Sequence, residues 1–292
     1  MKTVAACLFV LCALFLVSGS TVAQDSRYRI RVDVVDHATT AIAYPHRGGS
    51  TTIGFRGTSL QPRARGEAKV ESKQGYTEIE VEFDDMAPAT RYGREYLTYV
   101  MWSVTPQGRT SNLGEVILNG TKSKLDVTTE LETFGLIVTA EPYFAVTQPT
   151  NMVVLENYAR PDTRGNVQQV TTRYSLAAKS RFEVDKMPRD LKPSLIESTL
   201  PLDLQQARHA TRIAEWTGGG RYAPDLMRKL QGMLTTAEEL YVGKAKSKRV
   251  SLASREVVQT AEDVRLIAAR ASEVEELAKA RRPAPITRRR VR

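Results

Sequence analysis

The chain has only two cysteines in 292 residues, and both, Cys7 and Cys12, lie in an apolar N-terminal stretch. Everything after that stretch is free of cysteine, which excludes disulfides, thiolate chemistry and cysteine-based metal sites there. Histidine is nearly as scarce. His37, His46 and His209 stand far apart, without a regularly spaced carboxylate beside them, so three or four converging zinc ligands are not expected. Asp33, Asp36 and His37 read as a strand-end turn, and Asp84-Asp85, followed by Met86-Ala87-Pro88, as a solvated turn. No apolar run reaches the roughly 20 residues that a membrane-spanning helix needs. No serine sits in a nucleophile elbow. The sequence therefore holds no recognisable catalytic set, and the expectation is a protein that is not an enzyme, with no cofactor and no metal.

Positive charge is plentiful. The formal net charge is +9 and the isoelectric point about 9.6, which favours anionic partners. The N-terminus narrows the choice among them. Lys2 precedes an apolar run over residues 4–17, followed by small or weakly polar residues up to Ala23. This is the pattern of a secretory signal peptide over residues 1–23, with cleavage after about Ala23. Neither cysteine has the surroundings that lipoprotein processing requires. The expected location is the periplasm or outside the cell, as a bacterial cell-envelope protein, which argues against nucleic acid as the partner.

Residues 24–160 carry the signature of an antiparallel β region. Ile30, Val32 and Val34 alternate with Arg29, Arg31 and Asp33. Residues 45–65 form a basic loop with one short strand at 51–55. Residues 70–83 predict a hairpin turning at Gln74-Gly75, with Thr77, Ile79, Val81 and Phe83 inside and Glu78, Glu80 and Glu82 outside. Residues 96–104 are apolar on both faces, the mark of a central strand buried on both sides. Turns follow at Thr105-Pro106-Gln107-Gly108 and Asn119-Gly120, and further strands at 113–118, 125–129, 134–140 and 152–155. Eight to ten short strands with regular turns predict an immunoglobulin-like sandwich. Residues 161–200, rich in charge and proline, predict a connector.

From residue 201 the period becomes helical. Leu204, Ala207, Thr211 and Ala214 form one stripe, ending at Gly218-Gly219-Gly220. Pro224 opens a second helix with Leu226, Leu230, Met233 or Leu234, Ala237 and Leu240 or Tyr241 on its stripe. After a basic link at 244–249, Val250, Val257, Val264, Ala271 and Ala278 recur every seven residues, with Ser254, Ala261 and Ala268 four further on. This is a heptad seam of small residues, and it predicts an α-helical hairpin or three-helix bundle over residues 201–282. The seam is also a candidate surface for an oligomer. Residues 283–292 form the extended end of a basic tail, and residues 281–292 hold six arginines: Arg281, Arg282, Arg288, Arg289, Arg290 and Arg292. These six are the candidate contacts to an anionic envelope lipid or polymer.

Other motifs have simpler explanations. Gly218-Gly219-Gly220-Arg221 lacks a Walker lysine and a preceding strand, so it reads as an interhelix turn rather than a phosphate cradle. Asn119-Gly120-Thr121 matches a glycosylation sequon but is better explained as a hairpin turn. Tyr96, Tyr99 and Trp102 could line a glycan groove, the basis of an alternative glycan-binding or glycan-processing role, but a strand apolar on both faces favours core packing.

Two resemblances add to this reading. Tyr99, Trp102, Val104, Gly108 and Leu113-Gly114, then Val138-Thr139-Ala140-Glu141-Pro142 and Gln148-Pro149-Thr150, give residues 95–156 a pattern that resembles the extracytoplasmic β-sandwich of anti-sigma-K factors. The chain lacks the cytoplasmic sigma-binding region with its His/Cys cluster, so the resemblance implies the sandwich and not sigma-factor inhibition. Tyr222-Ala223-Pro224, with Ala207, Ala210 and Ala214 before it, resembles an uncharacterised family of alanine-rich helical domains of bacterial envelope proteins. Together they imply an envelope protein whose partner is another envelope protein or an anionic polymer or lipid.

Overall fold

The computed structural model describes residues 37–44, 49–164, 170–174 and 200–281. The expected signal peptide, the alternating segment at 28–35 and most of the basic tail lie outside the described residues. A mostly antiparallel β region is followed by helices. The strands are β1 His37–Ala43, β2 Ser50–Gly57, β3 Arg65–Ser72, β4 Thr77–Asp84, β5 Thr98–Val104, β6 Thr110–Val116, β7 Ser123–Thr129, β8 Thr133–Glu141, β9 Val153–Tyr158 and β10 Val170–Tyr174. Their order is β10-β1-β8-β9-β2-β3-β4-β7, with β5 against β8 and β6 against β5. β6 runs into β7 through a tight hairpin, so the sheet curls nearly into a barrel.

Local chemistry accounts for the strands. On β4, Thr77, Ile79, Val81 and Phe83 are buried in alternation, and the outward glutamates meet lysines on neighbouring strands, as in Lys124–Glu82 at 3.4 Å. Such exposed pairs each contribute about 0–1 kcal/mol. The β6–β7 turn sits one residue later than Asn119-Gly120 predicts. Asn119 pairs with Lys122, leaving Gly120 at φ 65° as the first central residue, where two-residue hairpins favour glycine. The Leu113-Gly114 pair forms a bulge. Met101 faces Gly114 while Trp102 faces Asn112, so Leu113 is the extra residue and Gly114 turns to φ 155°.

Two strands lie where the sequence predicts none. β1 begins at His37, the residue read as part of a turn. β10 falls inside the segment whose composition predicts a connector, and pairs with β1 from His37↔Tyr174 to Ala41↔Val170.

The helices are α1 Leu202–Trp216, α2 Gly219–Tyr222, α3 Pro224–Val242 and α4 Ser247–Ala280. The helical part thus gains a four-residue α2 where the sequence predicts a glycine break, and α4 takes in the end of the basic link. Leu204, Ala207, Thr211 and Ala214 are buried on α1, as are Met227, Leu230 and Ala237 on α3. The α4 seam is buried from Val250 to Ala268. Beyond Ala268 it emerges: Ala271 is half-buried, Ala278 is exposed, and Val274 is 66% exposed.

The side chains of β5 explain how the two parts fit together. Tyr99 and Met101 point into the interior of the β region with Phe55, Val81, Phe83, Leu136 and Val138. Val100, Trp102 and Val104 point the other way, into a second cluster with Ile137 and Val153. That cluster is completed by Leu204, Ala207 and Ile213 of α1 and Val257, Val258, Ala261 and Val264 of α4. The helices are the cover of the outer face of β5, which is why this strand is apolar on both sides.

Candidate functional site

The polar groups that gather in this structure lie where β region and helices meet, around the loop at residues 142–151 between β8 and β9. Tyr143 and Val146 of this loop are buried in the shared apolar cluster. The loop's polar atoms are taken up from four directions. Asn112 Nδ2 of β6 donates to Phe144 O (2.8 Å) and Val146 O (2.9 Å). Gln206 Oε1 of α1 accepts from Phe144 N (2.7 Å). Glu141 Oε1, at the end of β8, accepts from Thr150 N (2.8 Å). Glu262 of α4 accepts from Tyr143 Oη (2.7 Å), Thr147 N (3.1 Å) and Thr147 Oγ1 (2.7 Å).

Glu262 is held from behind by Arg265, one helical turn on. Arg265 Nε and Nη2 donate to its two oxygens at 2.6 and 2.7 Å. Only 4% of the Glu262 side chain and 10% of the Arg265 side chain remain exposed. Burial, the largest single influence, lowers the pKa of Arg265, but the hydrogen bonds and charges of Glu262 and Tyr143 together outweigh it, and the guanidinium is held above its usual range. The buried guanidinium therefore stays charged with a hydrogen-bonding partner, the condition under which a buried charge is tolerated. Tyr143 is pushed well above the ordinary phenol range, first by burial and then by the Glu262 charge.

A second knot lies at the edge of the same contact. Glu115 of β6 accepts from Thr98 Oγ1 (2.8 Å), Gln206 Nε2 (2.6 Å) and Arg255 Nη1 (2.6 Å). Arg255 also bonds Asp203 at 3.0 Å, and its guanidinium lies 3.7 Å from the centre of the Phe144 ring, a cation–π contact. β5, α1 and α4 thus share one carboxylate of β6.

Glu141 is the third feature. It is fully buried. Its Oε1 accepts from Thr139 Oγ1 (2.5 Å), which itself accepts from Trp102 Nε1 (2.7 Å). Burial, opposed by these hydrogen bonds, raises its pKa to about 8, so the carboxyl is protonated at neutral pH. On α1, His209 is fully buried with neither ring nitrogen hydrogen-bonded. Burial, assisted by Arg212, lowers its pKa to about 3, and the imidazole is neutral.

The residues singled out by sequence are scattered. Arg281 caps α4 and is exposed; Arg282, Arg288, Arg289, Arg290 and Arg292 lie outside the described residues, as do Asp33, Asp36 and His46. Asp84 pairs with Lys122 at 3.0 Å, and Asp85 with Arg65, so the two carboxylates are engaged separately. Gly218 adopts φ 103° in the turn before α2, and a side chain on Gly219 would collide with Val264, so Gly218 serves the turn and Gly219 the close helix packing. Tyr96, Tyr99 and Trp102 are at most 1% exposed and present no face to a sugar. Among the described residues, no three His, Cys, Asp or Glu side chains gather as a metal-ligand set, and no helix is long and apolar enough to cross a membrane.

The assembled residues Glu115, Tyr143, Gln206, Arg255, Glu262 and Arg265 carry no sequence motif. One signal was available: Glu262 and Arg265 sit beside Ala261 and Val264, within the stripe that packs inward. No family model matches the chain, and neither the curated proteins nor the solved structures offer a match.

Proposed function

We propose that this is a non-enzymatic scaffold or binding protein of the bacterial envelope, exported by its N-terminal segment. It presents a β region of immunoglobulin-like character on a helical support. The observation that carries this reading is the use made of the buried polar groups. Glu115, Glu141 and Glu262 are all engaged in tying the 142–151 loop and the helices to the β region. Such a network favours one fixed arrangement of the two parts. The protein would meet an envelope protein through its loops or an edge strand, and an anionic lipid or polymer through the arginines of residues 281–292.

Crosslinking in intact cells followed by mass spectrometry tests the reading. One dominant protein attached through the β region or helices is the expected result, and crosslinks confined to cytoplasmic proteins would overturn it. The tail is tested separately. Deleting residues 281–292 removes six arginines, each contributing about 1 kcal/mol near an anionic membrane, and should sharply reduce salt-sensitive retention on anionic vesicles. Unchanged retention would remove the tail from the reading.

A further inference from the structure

The α3–α4 hairpin ends in a cationic tip that the intramolecular contacts do not use. Lys244, Lys246, Lys248 and Arg249 are all exposed, and residues 240–255 include no aspartate or glutamate. Nearby cations are engaged, Arg208 with Glu238 and Arg255 with Glu115 and Asp203. The four at the tip form no ion pair among the described residues. Three of them stand at the start of α4, whose first turn holds no acidic residue. That is the positive end of the helix dipole, where cations are least favoured.

The backbone at the tip adds an independent observation. α3 closes with Ala245 N donating to Leu240 O (2.9 Å) and Lys244 N donating to Tyr241 O (3.0 Å), the paired bonds of a Schellman cap. The left-handed residue in such a cap is usually glycine. Here it is Lys244, at φ 54°, while Gly243 lies one position early at φ −72°. A lysine in this conformation is strained, so the cap is worse with lysine than with glycine, and the cap itself gives no reason for a charge there. Beside the cations stand two apolar side chains open to solvent, Val242 at 77% exposure and Leu252 at 58%.

We propose that this tip docks on an anionic lipid bilayer. The four cations meet the headgroup phosphates, their alkyl stems lying along the surface, while Val242 and Leu252 enter the boundary of the acyl region. Cations alone would fit any polyanion. The flanking valine and leucine gain from contact with a bilayer and gain nothing from a dissolved polymer. The contact is separate from the arginine tail.

Sedimentation of the full chain with phosphatidylglycerol–phosphatidylcholine vesicles, against pure phosphatidylcholine, tests it. K246S/K248S/R249S should weaken binding on the order of a hundredfold, and V242S/L252S by roughly tenfold. K244G should weaken binding about fivefold while raising the urea midpoint of unfolding, which separates lost contact from lost fold. Wild-type binding by the triple variant would overturn the proposal. So would wild-type binding by V242S/L252S, which would reassign the tip to a soluble polyanion. A third overturning result is the loss of all vesicle binding on deleting residues 281–292 alone, since that would leave the tip no share.

Discussion

Replacing Glu262 with methionine should destabilise the protein by about 5 kcal/mol, and replacing Arg265 with methionine by about 3 kcal/mol. Both break a buried ion pair, and the order follows from what each change leaves behind. Without Arg265, the Glu262 carboxylate still accepts from Tyr143 Oη and from the amide and hydroxyl of Thr147. Without Glu262, a buried guanidinium and those three donors all lose their acceptor, and each buried unsatisfied group adds its own penalty. Single domains are stable by only about 5–15 kcal/mol, so the Glu262 variant approaches the limit of folding. Urea unfolding at neutral pH would measure both. Equal costs, or a larger cost for Arg265, would show that the hydrogen bonds from the loop do not contribute as described.

The second large effect is on pH dependence. Glu141 has a folded-state pKa of about 8, raised from 4.5. Between these values the folded protein keeps a proton that the unfolded chain releases. Its contribution is fully present below pH 4.5 and is lost as pH rises to about 8, a total on the order of 4–5 kcal/mol. His209 has the opposite sign. Its pKa falls from 6.5 to about 3, so the unfolded chain binds the extra proton, and stability from this group is lost as pH falls from 6.5 towards 3. In the overlap, pH 4.5–6.5, the two slopes cancel. The stability profile should therefore be level there, decline towards pH 8 through Glu141 and decline below 4.5 through His209. Glu141→Gln, which retains a neutral group of the same shape, should abolish the alkaline decline. Urea titrations at a series of pH values would check this, and an E141Q profile that still falls between pH 6.5 and 8 would exclude Glu141 as its source.

Much of the fold is legible along the chain because it follows from short-range chemistry. The alternation of β4, the double-sided apolarity of β5, the proline that opens α3 and the seven-residue repeat of α4 are all local patterns, and the structure contains each of them. What is not legible depends on which element meets which. β1 and β10 pair across more than a hundred residues, and the polar, weakly patterned HATTAIA of β1 does not declare a strand by itself. The candidate site is hidden for the same reason. Glu262 looks like one more helical glutamate, and only the return of the 142–151 loop beneath α4 gives it Tyr143 and Thr147 as partners. Glu141 appears in a recognisable Val-Thr-Ala-Glu-Pro stretch, yet its burial follows from the covering layer and not from that stretch.

The two-sided burial of β5 has a consequence for biosynthesis. Val100, Trp102, Val104, Ile137 and Val153 are completed by residues of α1 and α4 that are made much later. At about 5–20 residues per second, the roughly hundred residues between β9 and the middle of α4 take about 5–20 s to emerge. During that interval the nascent β region has an apolar sheet face with nothing to cover it, and it needs a holding chaperone or dilution to escape association. A transcript cut short before α1 would leave that face permanently bare, and its product should be recovered as aggregate, whereas a chain ending just after Arg281 should be recovered in solution.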